Sequence, residues 1–123
     1  MKLGIVGLGR SGKTTVFNAL TGRTGESVPP GGHVVPALGV VTVPDSRVDW
    51  LSGLYHPKKT THAQITYMDL QGVPGMTENK QEYMSLLLMH MRPMDAFILV
   101  ARNFPDSALG APDASHDLRE LED

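Results

Sequence analysis

Apolar and polar positions along the 123 residues switch between a strand-like and a helix-like period, and the switches predict an alternating order of elements. Leu3 to Val6 is a short apolar run that reads as a buried strand. After a glycine-rich polar stretch, Val16, Phe17, Ala19 and Leu20 fall on one helical face, which predicts a helix opening at Lys13 and stopping at Thr21-Gly22. Gly22 to Pro36 holds Gly25, Pro29, Pro30, Gly31 and Gly32 and predicts a mobile loop. Leu38 to Val43 is apolar and β-branched, and it ends at Pro44-Asp45, where Asp45 or Ser46 caps a helix with Val48, Leu51, Leu54 and Tyr55 on one side. Trp50 adjoins that stripe and reads as packing rather than as a base-stacking group. Pro57 to Thr61 is turn-like, and Ala63 to Leu70 alternates as a strand running into Asp69-Leu70-Gln71-Gly72. Glu78 to Met91 reads as a helix with Tyr83, Met84, Leu87, Leu88 and Met91 on one face, the methionines serving as core filler. Ala96 to Ala101 is the last strand. Asp117 to Asp123 is an acidic helical scrap with few apolar residues.

About four strands alternating with helices predict an α/β three-layer domain with a mostly parallel sheet. Residues 1–104 form that domain in this reading, and 105–123 form a polar, acidic tail. The length suits one domain with a real core. A net charge of -2 gives no global attraction to nucleic acid or to an anionic membrane. With no cysteine, disulfides and thiolate sites are excluded. The first strand begins at Leu3, leaving no room for a signal peptide, and no apolar run approaches the roughly 20 residues of a membrane span. The expected location is the cytoplasm, away from membranes.

The chemistry is concentrated in Gly7-Leu8-Gly9-Arg10-Ser11-Gly12-Lys13-Thr14. Glycines at both ends let successive N–H groups converge on one concavity, and a helix opening at Lys13 adds its positive end, so the segment reads as a phosphate-binding loop. Lys13 is placed to reach terminal phosphates and the Thr14 hydroxyl to bind Mg²⁺. The pattern lies between a strand and an amphipathic helix, which is the context this chemistry requires. Asp69 at a strand end suits the Mg²⁺ shell, and Gly72 presents an N–H to a γ-phosphate with no Cβ in the way.

Several blocks in order resemble the Obg-like ATPase, or YchF, branch of the translation-associated P-loop GTPases. They are Gly4-Ile5-Val6-Gly7, Gly12 to Thr21, Gly39-Val40-Val41 with Pro44 to Val48, Asp69 with Gly72, and Arg92, Asp95, Ala96, Val100, Arg102 and Phe104 near the end. The resemblance covers essentially the whole chain. It implies a Mg²⁺-dependent switch that binds GTP or ATP and communicates with the ribosome. It also implies that the carboxyl-terminal part of the G domain is missing, together with a helical insertion and a small terminal domain. If so, the last strand has an open edge, and pairing of two chains along it is expected. The nucleotide-binding set is then Gly9, Arg10, Ser11, Gly12, Lys13, Thr14, Thr15 and Gly72, with Thr14 and Asp69 at the metal and Lys13 and Arg10 in catalysis.

Departures from the family pattern shape the expected activity. Val73 stands where many GTPases have a water-orienting glutamine, and His33 aligns with the switch I threonine, although imidazole is a poor Mg²⁺ ligand. Met76 to Glu82 replaces a glycine-rich switch II and predicts a stiffer segment. Arg10 stands where relatives with K⁺-assisted hydrolysis usually carry asparagine, so its guanidinium either supplies in cis the positive charge of that ion or of an external arginine, or faces solvent. Three readings follow. The leading one is a slow nucleoside triphosphatase switch. A small P-loop kinase fits less well, because no arginine-rich lid is evident. A degenerate module that binds nucleotide or a partner without hydrolysis stays open.

Overall fold

The computed structural model describes residues 1–24, 35–71 and 80–122, with the side chains of Val35, Gln71 and residues 80–84 set aside. The order is β1 (Lys2–Val6), α1 (Lys13–Thr21), β2 (Val35–Thr42), α2 (Ser46–Tyr55), β3 (Gln64–Gln71), α3 (Lys80–Met91), β4 (Ala96–Leu99) and α4 (Ala114–Glu122). The four strands form one sheet in the order β2-β3-β1-β4. β1 runs parallel to both β3 and β4, whereas β2 is antiparallel to β3. The fold is therefore α/β with a mostly parallel, mixed sheet. His33, Gly72, Val73 and the first residues of the replaced switch II, up to Asn79, lie outside the described residues.

Period-two alternation along the strands gives each face its own helix. Gly4 faces α3: a Cβ there would lie 2.7 Å from Met91 Sδ. On that side Met68, Leu70 and Met91 form the buried cluster, with Val6, Leu87 and Met94 against it. Gly39 faces α1: a Cβ there would collide with Thr21 Cγ2 and come within 3.4 Å of the Phe17 ring. Phe17 and Ile5 are each 1% exposed and mark this second half of the core. Glycine at 4 and 39 is thus what lets the two helices approach the sheet.

The expected punctuation of the helices is present. Gly22 closes α1 at φ 67°, and Asp45 caps α2 by accepting from the Arg47 amide at 2.9 Å.

The packing expected for α2 is not. No residue of α2 is buried, and Trp50, Leu51, Leu54 and Tyr55 are all exposed, Trp50 at 66%. The stretch 57–63 folds back along the other side of the helix, where Ser52 meets Thr60 and Asp49 meets His62 at 2.8 Å. Val48 and Ser52 are half-buried, the most covered residues of the helix. Trp50 is a surface residue, not a packing residue. In α3, likewise, Leu87 and Met91 pack while Leu88 is 51% exposed.

Candidate functional site

Gly7 to Gly12 connect the carboxyl end of β1 to α1. A Cβ on Gly7 would lie 2.5 Å from the Val100 carbonyl oxygen and 2.6 Å from Ser11 Oγ, so the loop leaves β1 pressed against the end of β4. Gly12 sits at φ 97°, a left-handed conformation that strains any residue with a Cβ. Arg10 also adopts positive φ, at 61°. The Ser11 amide donates to the Leu8 carbonyl at 3.2 Å and closes the turn. Helix α1 then begins with no side-chain cap and no acidic residue in its first turn. Its first amides have no intrahelical acceptor, and the positive end of the helix is offered to an anion.

The sheet brings Asp69 to this loop. Asp69 pairs in register with Ile5, close to where β1 ends. The Thr14 hydroxyl donates to Asp69 Oδ2 at 2.9 Å, while Oδ1 is buried with no hydrogen-bond partner. Asp69 is 0% exposed. Burial pushes its carboxyl above the ordinary carboxylate range, opposed by the Thr14 hydrogen bond and by the charge of Lys13. Lys13 folds over its own loop, donating to the Gly7 and Leu8 carbonyls at 2.8 and 2.7 Å. Burial lowers the pKa of its ammonium, opposed by the charge of Asp69.

A buried carboxylate with an orphan oxygen beside a hydroxyl is an all-oxygen donor set, which fits a hard cation such as Mg²⁺. Among the described residues no group of three or more His, Cys, Asp or Glu is placed to hold a metal. The remaining ligands of such an ion would have to be phosphate oxygens and water, as in sites where Mg²⁺ arrives with a nucleotide.

The other predicted residues take different positions. Gly9 faces open space, since a Cβ there would have nothing within 4 Å, and Thr15 is exposed on the first turn of α1. Ser11 turns inward: its side chain is buried and its hydroxyl has no partner. Arg10 is paired, its guanidinium 3.2 Å from Asp106 Oδ2.

Two residues beside the loop escaped the reading of the sequence as site residues. Arg102 is 7% exposed, and its guanidinium donates to the carbonyls of Phe104, Gly110 and Ala111 at 3.0, 2.9 and 3.0 Å. Its amide donates to Asp117 Oδ2 at 3.2 Å, which ties α4 to the end of β4. Asp106 accepts from the Ala108 and Leu109 amides at 2.7 and 3.2 Å. The signal available for Asp106 is Pro105-Asp106-Ser107, ordinary turn chemistry for a carboxylate that bonds amides two and three residues on.

A strand, a glycine-punctuated loop, an uncapped helix and a buried aspartate on the adjacent parallel strand define an α/β domain of the P-loop nucleoside triphosphatase type. No family model matches the chain. It is 38% identical over 104 residues to the ribosome-binding ATPase YchF of Bacillus subtilis, covering 84% of this chain and 28% of that protein. It is 35% identical over 127 residues to Obg-like ATPase 1 of Oryza sativa subsp. indica (99% of this chain, 32% of that protein). With Obg-like ATPase 1 of Schizosaccharomyces pombe the identity is 33% over 111 residues (89% and 28%). The chain belongs to the YchF/Obg-like ATPase family and matches its amino-terminal G domain. It spans about a third of the length of these curated relatives.

Proposed function

We propose that the chain binds a purine nucleoside triphosphate with Mg²⁺ through Gly7 to Thr14 and serves as the nucleotide-binding part of a slow triphosphatase switch. The observation that carries this reading is the pairing of Thr14 with the buried Asp69 under a loop whose helix end has no cap of its own. Loop amides and Lys13 hold the phosphates. Lys13 leaves the Gly7 and Leu8 carbonyls for the anion, an exchange of neutral acceptors for charged ones. Thr14 and Asp69 hold the ion, directly or through water, and Gly72 senses the γ-phosphate. When bound, Mg²⁺ neutralises charge on the phosphate oxygens.

The names of the relatives support ATP as the nucleotide and the ribosome as the partner, and with the ribosome a cytoplasmic location. No described helix is long and apolar enough to cross a membrane. β4 lies at the edge of the sheet, where a next strand or a second copy of the chain would add.

The test is calorimetric titration with Mg²⁺ and non-hydrolysable ATP and GTP analogues, with Lys13→Ala as the control. Binding that is lost in the variant is the expected result. Equal affinity in both proteins refutes the site.

A further inference from the structure

We propose that Asp106 and the bound triphosphate compete for Arg10, so that Asp106 is a positioning residue that holds the guanidinium aside until the phosphates arrive. This inference rests on the nucleotide-binding reading of the loop and deepens it.

Arg10 is the phosphate loop's cation besides Lys13, and its side chain is 61% exposed while that of Asp106 is only 13% exposed. One partner is therefore anchored and the other is free to move. The anchor is built from two sides. Asp106 Oδ1 accepts the Ala108 and Leu109 amides, leaving Oδ2 to Arg10. Behind it, Asp106 and Gly110 exchange backbone hydrogen bonds at 3.1 and 2.7 Å, and the Arg102 guanidinium clamps the Phe104, Gly110 and Ala111 carbonyls. None of these bonds involves Arg10. The turn keeps its shape when the ion pair opens, so the carboxylate stays in place to take Arg10 back.

The balance favours transfer. An ion pair of one guanidinium with one carboxylate, held from the solvent side by a largely exposed arginine, is weak. Phosphate oxygens offer the same fork more than one site of bidentate bonding and several negative charges. The Arg10 backbone sits at φ 61° in the loop, and its long, exposed side chain is the part that swings. Asp106 has a second, independent effect on an anion, plain repulsion, and the experiment has to separate the two.

Asp106→Asn does so, because the amide oxygen retains the bonds to Ala108 and Leu109 while the negative charge is lost. Affinity for a non-hydrolysable ATP analogue with Mg²⁺ is measured by calorimetry at low ionic strength on the wild type, Asp106→Asn, Arg10→Ala and the double variant. Competition predicts that Asp106→Asn tightens binding by about two- to fivefold, that Arg10→Ala weakens it, and that the gain disappears in the double variant, which binds like Arg10→Ala. A gain that persists undiminished without Arg10 means repulsion alone and overturns the proposal, as does no gain in Asp106→Asn. Wild-type binding that Lys13→Ala fails to abolish, or no wild-type binding at all, instead brings down the reading of the loop, and this inference with it.

Discussion

Replacing Thr14 by valine keeps the shape of the side chain and removes the hydrogen bond that the Asp69 carboxylate accepts among the described residues. Both oxygens of a fully buried carboxylate would then be without a partner, since Oδ1 already has none. A hydrogen bond to a charged group contributes about 1.5–3 kcal/mol, and because the site is buried little of that is screened. At about 3–5 °C per kcal/mol for a domain of this size, the melting temperature without ligand should fall by roughly 5–15 °C. The effect carries a pH signature. The native pKa of Asp69 is raised by burial, so the native state binds the proton more tightly than the unfolded chain, and stability falls as pH rises from the ordinary carboxylate value through the native one. Thr14 lowers that native pKa, and its loss raises it further. The destabilisation is therefore largest where Asp69 is ionised and shrinks as pH is lowered toward about 3.9. Melts of the wild type, Thr14→Val, Thr14→Ser and the double variant Thr14→Val with Asp69→Asn, from about pH 8 down to about pH 4.5, test this. Thr14→Ser should keep most of the stability, and valine should cost less when Asp69→Asn is already present. A pH-independent loss, or one equally large in the Asp69→Asn background, refutes the electrostatic account of the pair.

Gly7→Ala forces a Cβ against the Val100 carbonyl and Ser11 Oγ, at 2.5 and 2.6 Å, so either the loop or the end of β4 must shift. Overpacking of this kind costs about 1–3 kcal/mol; thermal melts should show it, together with weaker triphosphate binding, and an unchanged melt would deny the contact. Trp50→Ala, by contrast, should change stability in urea by less than about 0.5 kcal/mol, because the ring is exposed; a loss of about 2 kcal/mol would mean that the indole is packed.

Local chemistry made much of the fold legible. The Lys13 helix start, the Gly22 stop, the Asp45 cap and the strand carrying Asp69 follow from spacing and capping rules that act within a few residues. The antiparallel setting of β2 is a matter of how the chain returns to the sheet, and the composition of a strand carries almost none of that information. The error over Trp50 has the same origin. Periodicity places Leu51 and Leu54 on one side of α2, but it cannot say whether that side meets the protein, and in the fold both are exposed. Arg102 and Asp106 were hidden for a further reason: their roles depend on carbonyls and a loop that come together only in three dimensions.

What the sheet accomplishes at the site is to hold groups in arrangements they would not choose alone. Lys13 and Asp69 are both displaced by burial toward their neutral forms, and each partly restores the charge of the other. The strand register brings Asp69 beside Ile5, and the Gly7 contact with Val100 seats the loop on β4, so Asp69 cannot reach solvent without opening the core. A polyanion bound with a divalent cation would relieve both at once, offering the ammonium an anionic acceptor and the orphan Oδ1 a partner. Because that relief would exist only in the folded state, the proposed ligand is expected to raise the melting temperature of the chain, and more strongly the tighter it binds; no shift at saturating Mg²⁺ and nucleotide analogue would count against the site.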